Sequence, residues 1–136
     1  MKKQIRGYVI KKKGQVEEEP QKTYDLEERT FKFAKATLAF LKCIDKSMAN
    51  QEFARQLIRS SSSVGANYLE ANNFLGKKDF THKIGICRKE AKESNYWFKL
   101  IEIDEDNPSI VEKRDNLARE AIELMLIFSA IFRKNR

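Results

Sequence analysis

The chain has 136 residues, 27 Lys+Arg against 20 Asp+Glu, and a formal net charge of +7. One domain with a single core suits that length, and 41% hydrophobic with 35% charged residues excludes a chain disordered by composition. No apolar run approaches the ~20 residues of a spanning helix, no apolar segment follows the first lysines as in a secretory signal, and five Gly with two Pro disfavour a turn-rich β fold.

Residues 1–23 read as a basic N-terminal tail, poorly ordered or a docking segment, with Lys11-Lys12-Lys13 followed by three glutamates and Pro20. The bundle proper is expected over 24–136. Asp25 is the expected N-cap of the first helix, because Glu28 three residues later completes a capping box. Phe33, Phe40, Leu41 and Ile44 then recur at helical spacing, with Phe31 and Leu38 beside them. A second helix is expected over about 50–73, where Phe53, Leu57, Ser60, Val64, Tyr68 and Ala71 form one stripe. Its middle, Ser60 to Ala66, is built of small residues with poor helix propensity, so packing must hold it and a neighbouring backbone must come close. A third helix, about 79–103, repeats Phe80, Ile84, Cys87, Ala91, Ser94, Phe98 and Ile101 in alternating steps of four and three. The fourth begins with Asn107 as cap and Pro108 at the first helical position, and runs through Ile110, Leu117, Ala121, Leu124, Phe128 and Ile131. Four such helices with short polar links make an all-α, up-down antiparallel four-helix bundle.

Apolar residues occupy more faces than one bundle can bury. Tyr96, Trp97, Leu100 and Ile103 lie away from the third stripe, Ala121 to Phe132 is apolar nearly all round, and Ile58, Gly65 and Leu69 flank the second. Self-association is the economical explanation, and ordinary boundary positions are the alternative. A polar line on the second helix, Arg59, Ser63, Ala66 and Glu70, is either a solvated stripe or a docking face.

Nothing in the residues suggests an enzyme. His82 is the one histidine, which precludes a multi-histidine metal site within the chain, and no phosphate-binding glycine loop occurs. Cys43 and Cys87, with no CxxC pair, read as small core hydrophobes in a reducing cytoplasm. No cofactor or metal is expected. Residues 76–103 hold seven Lys/Arg against four acids. Lys78, His82, Lys89 and Lys92 fall opposite the Phe80 stripe, with Lys77, Lys83 and Arg88 nearby. That surface is a candidate for contacts to backbone phosphates of RNA or DNA, with little sequence readout.

Four blocks carry a resemblance: Tyr24-Asp25-Leu26-Glu27-Glu28-Arg29-Thr30-Phe31, then Gln56-Leu57-Ile58-Arg59-Ser60, the run Ser62-Ser63-Val64-Gly65-Ala66-Asn67-Tyr68-Leu69-Glu70-Ala71, and Lys77-Lys78-Asp79-Phe80 onward to Lys89-Glu90-Ala91. Together, over roughly 24–133, they resemble the small four-helix-bundle proteins named for members encoded in intervening sequences of bacterial 23S ribosomal RNA genes. The resemblance implies a bacterial cytoplasmic protein that is not an enzyme and assembles as a ring-like homopentamer. More distantly, the chain is similar to the accessory variability determinant of diversity-generating retroelements, a pentameric bundle that binds nucleic acid and a reverse transcriptase. Arg59, Ser63, Asn67 and Glu70 occupy the family's characteristic polar positions, and with Tyr96, Trp97 and Leu100 they are the candidate oligomer interface. The function expected is thus a non-catalytic oligomeric nucleic-acid-binding scaffold. The alternative is a protein-interaction adaptor, an accessory subunit of a reverse transcriptase complex. No membrane partner is expected.

Overall fold

The computed structural model describes residues 20–73 and 75–136, with side chains from Asp25 onward. The expected tail lies outside the described residues except for Pro20 and the backbone that follows it. The described residues form four helices: α1 (Pro20–Leu41), α2 (Met48–Asn72), α3 (Lys77–Leu100) and α4 (Pro108–Asn135). Each helix packs against the next and α4 closes against α1, while diagonal helices meet only through side chains. This is the expected all-α four-helix bundle.

Helix starts follow local chemistry. Asn107 Oδ1 accepts from Ser109 N at 3.1 Å and Ile110 N at 3.3 Å, ahead of Pro108 at the first position. At α2, the Ser47 hydroxyl accepts from Asn50 N at 3.1 Å, so the helix opens just before the expected start. The expected Asp25 cap does not form, because α1 already begins at Pro20. A proline needs no N–H partner in the first turn and its φ is preset for helix, so it is the better starting residue. Before α3, Gly76 takes φ +153°, a conformation side chains avoid.

The α3 helix stops at Leu100 rather than near Ile103, and Asn50 explains the stop. This fully buried side chain donates to Asp45 O at 2.9 Å and Glu102 O at 2.8 Å, and its Oδ1 accepts from Glu102 N at 2.8 Å. It holds Glu102 in an extended connection where backbone groups are satisfied by a side chain instead of a further helical turn.

The stripes meet in one core. Phe98 of α3 is wedged edge-on between Phe33 and Phe40 of α1, with ring centroids 6.2 and 5.9 Å away. Tyr68 of α2 reaches Phe128 of α4 at 5.5 Å. Both contacts cross the diagonals of the bundle. The small-residue stretch of α2 does what its composition requires. Ser60 and Ser94 share a buried hydroxyl–hydroxyl hydrogen bond of 2.8 Å. A Cβ at Gly65 would stand 3.0 Å from Thr30 Oγ1, so α1 crosses α2 there at close range. Of the two cysteines, Cys87 is buried with its thiol against Val64 O at 3.4 Å, but Cys43 is exposed, which corrects its reading as a core residue. It follows the last turn of α1, past the point where the stripe faces inward.

Candidate nucleic-acid interface

The basic residues of α3 separate by the direction they face. Lys77, Lys78, His82, Lys89 and Lys92 are exposed. Lys83 turns toward α2, its Nζ 3.3 Å from Glu70 Oε1. Arg88 turns toward α4, its guanidinium carbon 4.7 Å from the centre of the Phe132 ring, a cation–π distance. Of the seven basic candidates, four therefore line the outward side of α3 (Lys78, His82, Lys89 and Lys92), Lys77 stands exposed in its first turn, and two bind it to its neighbours.

The polar line of α2 also meets α3. Arg59 Nη1 lies 3.0 Å from Glu90 Oε1, and its Nη2 pairs with Glu93. Glu90 is only 7% exposed, so Arg59 neutralises a carboxylate that would otherwise be buried alone. Asn67 Nδ2 donates to both Ser63 O and Ser63 Oγ at 2.9 Å. Arg59 and Glu70 thus share a face, as their spacing suggests, and within the chain both ends of that face clamp α3.

Of the apolar interface candidates, Tyr96 and Leu100 are exposed. Trp97 instead packs on the core: it stacks on Phe53 at 6.0 Å, and its Nε1 donates to Glu93 Oε2 at 3.0 Å.

Several pairings have no signal in local spacing. Arg29 of α1 forks onto Glu120 at 2.7 Å and Glu123 at 2.8 Å of α4, and the Glu120 hydrogen bond raises the Arg29 pKa. Asn95 Nδ2 donates to Ala118 O at 2.8 Å, joining α3 to α4. Sequence separation of this order hides such partners until the helices are placed.

As chemistry, the surface offers point charges rather than a reacting centre. Burial pushes the Cys87 thiol well above its ordinary range, so it stays protonated and is no nucleophile. Among the described residues no group of three His, Cys, Asp or Glu side chains converges in a way that would hold a metal ion. No described helix is long and apolar enough to cross a membrane.

Residues 22–126 match the family described as 23S rRNA-intervening sequence protein. The chain belongs to that family. A crystal structure of a protein of unknown function from the S23 ribosomal protein family, from Bacteroides thetaiotaomicron VPI-5482, superposes with a TM-score of 0.70 at 24% identity, covering 82% of this chain and 98% of that one. At that identity the likeness speaks for the bundle itself. No curated protein matches the chain. Neither description, of the family or of the neighbour, carries a catalytic activity.

Proposed function

We propose that this member of the 23S rRNA-intervening sequence protein family is a non-catalytic, homo-oligomeric scaffold that binds RNA or DNA phosphates through the outward side of α3. The observation that carries the reading is the row of exposed basic side chains Lys78, His82, Lys89 and Lys92, left outward while Lys83 and Arg88 are drawn to neighbouring helices. Charge so arranged attracts phosphate backbones without reading bases.

Self-association is supported by a different surface. Phe31 and Leu38 on α1 are 63% and 42% exposed, and Ile58 and Leu69 on α2 are 44% and 56% exposed. They flank the close crossing of α1 and α2 at Thr30 and Gly65, and together leave an apolar face that a second copy would cover. A ring of five copies is the assembly the family resemblance favours.

Native mass spectrometry of the full chain purified from its host tests both parts together. The expected result is a multi-subunit species carrying RNA or DNA, with affinity for nucleic acid falling as salt rises. Phe31→Glu with Leu69→Glu should shift the species to monomer. A stoichiometric protein partner with no nucleic acid would replace this reading by the adaptor of a reverse transcriptase complex, and a sharp wild-type monomer would remove the scaffold.

A further inference from the structure

Charge on α3 and α4 is sorted by side more completely than the basic row alone indicates. All three carboxylates of α3, Asp79, Glu90 and Glu93, fall on the side toward α2, in line with Lys83. Glu90 and Glu93 hold Arg59 there, and Lys83 holds Glu70. On α4, Glu120 and Glu123 both turn to Arg29 of α1. Among the described residues, no Asp or Glu side chain stands between the first turns of α3 and the last turns of α4, and Asp115 lies at the other end of that seam, beside Lys99.

That flank is one surface. Thr81 Oγ1 donates to Asn135 O at 3.1 Å, and Arg88 lies over Phe132, so the start of α3 is fastened to the end of α4. Arg133 and Arg136, next to Phe132 and Asn135 in the chain, are exposed at the same end of the bundle as Lys78 and His82.

Along α3 the row includes an aromatic ring, set between Lys92 and the exposed Lys99. Tyr96 follows Lys89 by two helical turns and therefore shares its side. It is 57% exposed, braced edge-on by Trp97 at 5.2 Å, which is itself anchored on Phe53. A braced, open aromatic beside a phosphate track matches how single strands are held, because an unpaired base can leave its neighbours and stack, and a base inside a duplex cannot.

We propose that the basic outward side of α3, together with the last turns of α4, is a track for single-stranded nucleic acid, with phosphates along the basic row and one base stacked on Tyr96. This rests on the nucleic-acid reading above and narrows it to a partner and a surface.

The test is fluorescence anisotropy of the full chain across a salt series, with a labelled oligouridylate and an RNA duplex of equal length. The oligouridylate should bind more tightly. Tyr96→Ala should weaken it about fivefold or more, the low end of what one stacked base contributes, with an unchanged salt slope and an unchanged subunit count. Tyr96→Phe should retain binding. Lys89→Ala, Lys92→Ala, Arg133→Ala and Arg136→Ala should each flatten the salt slope by ~0.7 for every phosphate no longer neutralised. Equal duplex affinity, or Tyr96→Ala without effect, overturns the single-strand assignment; so does a changed subunit count, which would make Tyr96 an interface residue. Binding that ignores Arg133→Ala and Arg136→Ala but disappears when Lys11, Lys12 and Lys13 become Ala overturns this surface and leaves the broader reading intact. If wild type binds neither probe, the broader reading itself fails.

Discussion

The two flanks of α3 differ in what their charges do. Toward α2, each carboxylate or base with a partner is matched across the seam: Arg59 with Glu90 and Glu93, Glu70 with Lys83. Toward α4 the helix is joined by neutral contacts and one cation–π contact, Asn95 to Ala118, Thr81 to Asn135 and the Phe132 ring under Arg88, while its outward row carries base without acid. One helix therefore holds a structural flank and a flank whose charge remains available. The net charge of +7 says nothing about this division, which depends on the side of α3 that each acid occupies.

Substitutions can break that contrast or sharpen it. The largest effect is expected where both flanks depend on the same core. Phe98→Ala removes the ring held between Phe33 and Phe40 and should cost about 3–5 kcal/mol by denaturant unfolding; a loss below about 1 kcal/mol would mean that α3 is not anchored by this packing.

Next comes the contrast itself. Arg59→Ala strands the nearly buried Glu90 and should lower stability by about 1–3 kcal/mol, whereas Lys89→Ala on the other flank should stay within ~0.5 kcal/mol. Equal costs for the two would erase the distinction between a structural and an available flank.

A smaller pair of effects of opposite sign is expected at the close helix crossings. At Gly65 an added Cβ meets Thr30 at 3.0 Å, and Thr30 is held by hydrogen bonds to Leu26 O and Glu27 O, so Gly65→Ala should destabilise by about 1 kcal/mol. At Gly85 the added atom meets only the outer edge of the half-buried Phe132 ring at 3.1 Å, which can yield, so the helix propensity of alanine should prevail and raise stability by up to about 1 kcal/mol. Thermal melts of the two variants decide the signs.

The smallest effect near neutrality is a pH dependence. Burial holds the folded Cys87 thiol above its ordinary 9.0, so only the unfolded chain releases that proton between pH 9 and the folded value. The stabilisation is fully present below pH 9 and declines above it by up to about 1.4 kcal/mol per pH unit. Unfolding of wild type and Cys87→Ala at pH 7 and at pH 10 should show a steeper decline in wild type; parallel declines would place the thiol in water.

Elements with a strong local signal are legible in the residues alone. The stripes through Leu57, Val64 and Tyr68 and through Ile84, Cys87 and Phe98 are the buried faces of α2 and α3, and Asn107 with Pro108 opens α4 as its chemistry requires. Where two local signals compete, spacing misleads. Asp25 with Glu28 makes a plausible cap, but Pro20 starts α1 earlier, and Ile101 continues a helical stripe that Asn50 interrupts from another part of the chain. For the candidate interface, spacing places Lys78, His82, Lys89 and Lys92 on one side of α3. It does not reveal that Lys83 and Arg88 are taken up by α2 and α4, or that Thr81 and Asn135 fasten the start of α3 to the end of α4.

What the sequence by itself determined is the number of helices, their inward stripes and the bundle they form, because burial periodicity and capping are properties of neighbours along the chain. Only the tertiary structure decided which charges cancel. Arg59 and Glu90 are 31 residues apart and Arg29 and Glu120 are 91 apart, so their pairing exists only once helices lie side by side. An electrostatic surface is what remains after such pairing, and it therefore belongs to the fold rather than to any segment of it.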